Sequence, residues 1–159
     1  MAANDFASHS GQIGLALVDL LRDEQPDGLA DEQIRLREDW LDGNGSPYDG
    51  VSIVYAGEQY SEGTIGTADI GYLYSIVLAK RRTADAELPD DRLMQWYEAI
   101  RRRLQDQRTL VILTDSTAPR EHVCIVMPGR TLTDRNKWPE YLLRMLVVAV
   151  WIRENVISY

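Results

Sequence analysis

The sequence predicts an α+β fold: a mainly antiparallel sheet with a long β-hairpin and two to three helices packed on one face. Three observations predict it. Residues 69–82 alternate Ile70, Tyr72, Tyr74, Ile76 and Leu78 on one face with Gly71, Leu73, Ser75, Val77 and Ala79 on the other, the period-two pattern of a strand rich in aromatic and β-branched residues. Residues 51–56 precede it as a second extended segment, so the two read as a hairpin. Residues 12–23 and 90–108 carry apolar side chains at helical spacing. The helices do not alternate regularly with the strands, which argues against a doubly wound parallel sheet.

The chain of 159 residues reads as one domain, with residues 1–9 flexible and the hairpin loop 57–68 protruding. Its hydrophobic fraction of 45% and charged fraction of 26% are ordinary for a soluble globular protein. The formal net charge of −8, with a pI near 4.7, speaks against a broad phosphate-binding surface. The lone cysteine, Cys124, lies in the apolar run 123–127 and reads as a small buried hydrophobe. A single thiol allows no intrachain disulfide, which fits a reducing compartment. The opening MAANDFASHS lacks the basic and then apolar regions of a signal peptide. The longest purely apolar run, 145–152, falls far short of the roughly 20 residues a membrane span needs. A soluble protein is the expectation.

In chain order, residues 12–23 form the first helix, with Ser10 as its N-cap and Ile13, Leu17, Leu20 and Leu21 on one face. Pro26-Asp27-Gly28 breaks it. Residues 29–41 suit either a strand, through Ile34, Leu36 and Trp40, or a helix opening at Asp31-Glu32-Gln33. Residues 42–47 are a turn. The hairpin follows; at about 3.3 Å per residue its second strand extends about 40 Å, well beyond the usual strand. Its connection 57–68, with three glycines and two acids, reads as a loop without fixed structure in the isolated subunit. Residues 90–108 form the clearest helix, striped by Leu93, Tyr97, Ile100 and Leu104, with acids first and arginines last as the helix dipole favours. Arg101, Arg102, Arg103 and Arg108 read as a solvated helix end. Residues 109–113 and 122–127 are short strands, the second ended by Pro128-Gly129. Residues 141–156 are rich in β-branched residues and favour a strand, although Pro139-Glu140 also suits a helix start. Trp40 and Trp138 read as core residues.

No catalytic, cofactor-binding or metal-ligating residues emerge. The two histidines, His9 and His122, match no metal-binding spacing. His122 and Cys124 would share one strand face, but no third group orients them, and a packed strand is the better reading. The glycines of GEQYSEGTIGTADIG suggest a phosphate cradle, yet Glu58, Glu62 and Asp69 would repel an anion. The paired acids 23–24, 31–32, 38–39 and 90–91 sit at element ends or in polar segments, where solvated surface is the default.

In layout the chain resembles the small neck proteins of tailed bacteriophages, the tail-terminator and head–tail joining group. The likeness rests, in order, on the helix GQIGLALVDLLRD, the pair GVSIVYAGEQ and DIGYLYSIVLAKRR with its acidic connection, the helix DDRLMQWYEAIRRRL, and the closing strand LRMLVVAVWIRE. The resemblance implies a virion structural protein, not an enzyme. It would form a ring, usually hexameric, that terminates the tail tube and docks the head connector. DNA would pass its acidic lumen without specific binding, and no cofactor or membrane would be involved. Under that resemblance Tyr60, Ile65, Tyr72, Tyr74, Lys80, Arg81 and Arg82 are the candidate subunit or partner contacts. The alternatives are a small cytosolic adaptor that binds a partner through an exposed strand edge, and an unrecognised carboxylate-dependent enzyme.

Overall fold

The computed structural model describes residues 8–23, 25–26, 28–62, 67–82, 91–107, 109–112, 120–131 and 137–155. These form an α+β fold. Helix α1 (His9–Asp23) is followed by a 3-10 turn (Asp31–Gln33) and strand β1 (Ile34–Arg37). The hairpin is β2 (Gly50–Glu62) and β3 (Thr67–Arg81); α2 (Asp91–Gln107), β4 (Thr109–Ile112), β5 (Arg120–Thr131) and β6 (Tyr141–Asn155) complete the chain. The strands make one six-stranded sheet in the order β1-β2-β3-β6-β5-β4. Only the β1–β2 pair is parallel.

Helix α1 opens one turn earlier than expected. Ser8, not Ser10, caps it: the Gly11 N–H donates to Ser8 Oγ at 3.1 Å, satisfying one of the amides a helix start leaves without a partner. His9 is therefore helical rather than part of a flexible terminus, and residues 1–7 lie outside the described set. Residues 12–18 of α1 are all buried. Almost two full turns hidden on every side is the signature of an enclosed helix. The enclosure is the sheet itself, for α1 packs against β1 and β2 at one margin and β4 at the other. Gly14 permits the close approach, since a Cβ there would fall 2.7 Å from Leu36 Cδ1 and 3.3 Å from Tyr74 Cε1. At its far end the Arg22 guanidinium donates to the Ile34 carbonyl at 2.7 and 3.1 Å, tying α1 to β1.

Helix α2 buries Leu93, Trp96, Tyr97, Ile100 and Leu104, the expected stripe widened by Trp96, against β3, β5 and β6. The Arg144 guanidinium from β6 stacks 4.0 Å above the Tyr97 ring. Arg103 reaches Asp23 at 3.2 Å and Arg102 reaches Glu98 at 3.6 Å, so much of the arginine run is spent on local ion pairs.

The centre of the sheet is the β3–β6 ladder, which pairs Thr67 with Asn155 at one end and Arg81 with Tyr141 at the other. Residues 141–155 are thus a strand. One face of the ladder carries Ile70, Tyr72, Tyr74, Ile76 and Leu78 with Leu146, Val148, Val150 and Ile152, all in the core beneath the helices. On the opposite face Val77, Ala79 and Leu143 are also buried. There the Trp151 indole covers Gly71, its cross-strand partner, so closely that a Cβ on Gly71 would lie 2.9 Å from the ring.

Three expectations need correction. Residues 57–62 and 67–68 are strand, paired from Gly57↔Leu73 through Glu62↔Ala68, so the protruding loop is not 57–68. The cross-strand hydrogen bonds satisfy a polar, acidic backbone that composition alone assigns to a loop. Pro128-Gly129 does not end β5 but sits in a register shift between Met127 and Arg130, after which pairing with β6 resumes; such an irregularity accommodates the missing N–H of proline. Trp40 and Trp138 are not core residues. They form a half-buried edge-on pair, centroids 4.9 Å apart, and the Trp138 indole N–H donates to the Gly45 carbonyl at 3.2 Å.

Candidate functional site

Strand β2 is longer than its outer neighbour. β1 pairs only with Val51–Val54, and among the described residues no strand pairs with that side of β2 from 55 to 62. Among the described residues the outer half of the hairpin is thus an edge of the sheet, the kind of template on which another strand adds.

A β-bulge decides which side chains decorate this row. The β2–β3 register passes from Tyr55↔Tyr74 to Gly57↔Leu73, leaving Ala56 extra. Without it, Tyr55 and Glu58 would point to opposite faces. With it, Tyr55, Glu58 and Tyr60 stand opposite Tyr74, Tyr72 and Ile70, on the helix-bearing face. Gly57, at φ 120°, supplies the backbone conformation the bulge requires. Tyr55 and Tyr60 are the exposed large hydrophobic residues of the described chain, at 42% and 71% exposure. Both phenols donate to Glu58, Tyr55 at 2.8 Å to Oε1 and Tyr60 to Oε2. Those two hydrogen bonds hold the Glu58 carboxyl below its usual range, so it is ionised at neutral pH. Burial, followed by the hydrogen bond to Glu58 and the charge of that carboxylate, pushes the Tyr55 hydroxyl up to about 12. Further towards the hairpin end Asp69 and Arg153 form an ion pair at 2.8 Å between β3 and β6, and it lowers the Asp69 pKa.

The other end of the hairpin carries Lys80, Arg81 and Arg82. Lys80, Arg81 and Arg92 line a cleft of about 500 Å³ with Asp49, Gln33 and Trp96. Arg92 lies against Gly28, where a Cβ would be 2.6 Å from its guanidinium. Arg81 also reaches Glu140 at 2.8 Å, and that contact raises its pKa. The Arg82 backbone N–H donates to the Glu140 carbonyl at 2.7 Å, which fixes the strand end.

The seven residues singled out from the sequence therefore separate. Tyr60 is exposed on the arm, and Lys80, Arg81 and Arg82 lie together at its base. Ile65 is outside the described residues. Tyr72 and Tyr74 must be removed from the contact candidates, because helix α1 of the same chain covers them. Tyr72 is 7% and Tyr74 1% exposed; the Tyr74 hydroxyl donates to the Ser10 carbonyl, and Tyr72 lies edge-on to His9. Burial drives the Tyr74 pKa far upward. Tyr55, Glu58 and Arg92 were not singled out. The bulge that recruits Tyr55 and Glu58 to one face breaks the period-two pattern at a single residue, and Arg92 joins the cleft only through the docking of α2.

Among the described residues no group of three or more His, Cys, Asp or Glu could hold a metal ion, and no helix is long and apolar enough to cross a membrane. The side chains of His122 and Cys124 fall outside the described set. The chain matches no protein-family model and no curated protein sequence.

Proposed function

We propose that the chain is a structural subunit of a tailed-phage virion, which assembles into a ring at the neck, terminates the tail tube and joins it to the head. The observation that carries this reading is the open outer edge of β2. Among the described residues this strand of 13 has a same-side strand partner over four of them, and the rest of the edge bears Tyr55 and Tyr60, the exposed large hydrophobic residues. A long, partly apolar free edge is a liability in a monomer and a natural surface in an assembly. Tyrosine brings large contact area at small entropic cost, which suits such a surface. An edge of this kind used by one copy on a different surface of the next gives a heterologous contact, which closes into a ring when the rotation between copies closes and otherwise runs on as a filament. The net charge of −8 fits a lumen through which DNA slides without adhering.

The same edge would equally serve an adaptor that captures one partner strand. Electron microscopy and sedimentation of the purified chain, alone and mixed with tail-tube and head-connector proteins, separate the two readings. A ring of several copies that caps tube ends is expected, and Tyr60→Lys should abolish it while leaving the circular-dichroism spectrum unchanged. A chain that stays monomeric in every mixture overturns the ring. A one-to-one complex with a single partner favours the adaptor.

A further inference from the structure

We propose that the edge of β2 accepts a strand of another chain that carries an apolar side chain and a cationic one at neighbouring positions of one face. The apolar side chain enters a cavity beside Tyr55, and the cation lies over Glu58. The inference rests on the assembly reading of this edge and names the chemistry of the strand that it takes.

The cavity, of about 440 Å³, lies between the start of α1 at Ser10 and Gly11, the end of β1 at Leu36, and the rings of Tyr55 and Tyr74. It exists because β1 stops early. Ile34 and Leu36 are the residues of β1 that meet the core, and the next on that face would be residue 38. Instead the Arg37 guanidinium donates to the carbonyls of Asp39 and Leu41, at 3.2 and 3.3 Å, and draws the chain off the sheet. Glu38 is left exposed at the mouth of the cavity. A strand that continues the line of β1 along residues 55–62 sets a side chain in the place that a longer β1 would have filled.

The wall asks for carbon. The Tyr74 hydroxyl donates to the Ser10 carbonyl and the Gly11 N–H to Ser8 Oγ, so those polar groups are already engaged. Leu36 is half-buried, and the Tyr55 and Tyr74 rings meet with centroids 5.5 Å apart. A branched aliphatic or aromatic side chain covers these surfaces, and the volume is in the range of pockets that recognise a bulky group.

The second position asks for a cation. The bulge at Ala56 brings Glu58 to the face of Tyr55, so the partner's next side chain on that face stands beside Glu58, about 5 Å away in a strand pair. Two phenols hold this carboxylate in place and keep it ionised, and they use two of its roughly four acceptor positions. A guanidinium or ammonium there meets opposite charge between two tyrosines, whose rings also attract cations; a carboxylate there meets like charge. Main-chain pairing alone accepts any sequence, and these two positions supply selection.

The test is a nuclear magnetic resonance titration of the wild-type chain with the acetylated peptide Thr-Val-Thr-Leu-Thr-Arg-Thr-Val and with its reversed sequence, since a strand can add in either direction. One of the two should shift the amides of residues 55–60 and the Leu36 methyls. Changing its leucine to aspartate, or its arginine to glutamate, should weaken binding at least about fivefold. Glu58→Gln should erase the preference for arginine over glutamine in the peptide and leave the leucine preference intact. Melting curves check that this variant is folded; if it is not, the wild-type titrations decide alone. Peptides that all bind alike overturn the two-position selection and leave the edge standing. Peptides that shift nothing at residues 55–60 of a chain that still forms rings overturn the inference and leave the ring standing. A chain that neither binds them nor assembles overturns both.

Discussion

At Gly50 two constraints coincide. Its φ of 142° is a conformation that side-chain-bearing residues rarely adopt, and a Cβ there would sit 2.5 Å from the backbone carbonyl oxygen of Gln33. Neither the strand nor the 3-10 turn can retreat without breaking the parallel β1–β2 pairing. Gly50→Ala should therefore cost about 3 kcal/mol, strain and overpacking together, measured as a lower urea midpoint; a change under about 0.5 kcal/mol would contradict this account. The Tyr55–Glu58 pair makes a second prediction at the same scale. The Tyr55 hydroxyl is raised in the folded state from 10.0 to about 12, so its contribution to stability is fully present below pH 10. That contribution is lost as pH rises from 10 towards 12, where the unfolded chain ionises and the folded one does not. A spectrophotometric titration should show this late tyrosine, and Glu58→Gln should bring it part of the way back, because burial is the larger cause and remains.

Among the elements, the hairpin arm is where composition misleads. The strict alternation in β3 and the stripe in α2 are readable from residues 70–79 and 93–104, because each reports a regular period against one buried layer. The segment 57–68 carries three glycines and two acids, the composition of a loop, yet residues 57–62 are strand because β3 offers them a ladder. No local property announces a partner that the chain supplies ten residues later. The bulge is hidden for the same reason, since one inserted residue, Ala56, reverses the facing of everything after it. Tyr72 and Tyr74 are legible as one face of a strand. Which layer covers that face depends on α1, more than fifty residues earlier in sequence. The edge itself is testable by amide exchange on the isolated subunit. Within residues 55–62, amides bonded to β3 should be protected and those on the open side should exchange freely, alternately along the strand. Uniformly fast exchange would restore the loop; uniform protection would mean that the edge is already covered.

For the whole molecule the decisive fact is that β6, the strand formed last in the chain, lies in the middle of the sheet, between β3 and β5. Without it the sheet is two disconnected pieces, β1-β2-β3 and β5-β4, and α1 bridges margins that no longer belong to one surface. A chain cut after residue 140 should accordingly show no cooperative unfolding transition, whereas a calorimetric peak from that fragment would show that the first half folds alone. The enclosed helix α1 carries this further, into the life of the chain on the ribosome. His9–Asp23 emerges ahead of the sheet that wraps it, and its wrapping is complete only when β4, roughly ninety residues further on, has been joined to the sheet through β5 and β6. Folding is therefore held back until synthesis reaches residue 155, and its rate is limited by closing long loops rather than by making helices. In that interval β3 has an unpaired edge, with Ile76, Val77 and Leu78 available to any nascent neighbour. On closely spaced ribosomes, the first contacts between copies would then compete with folding itself.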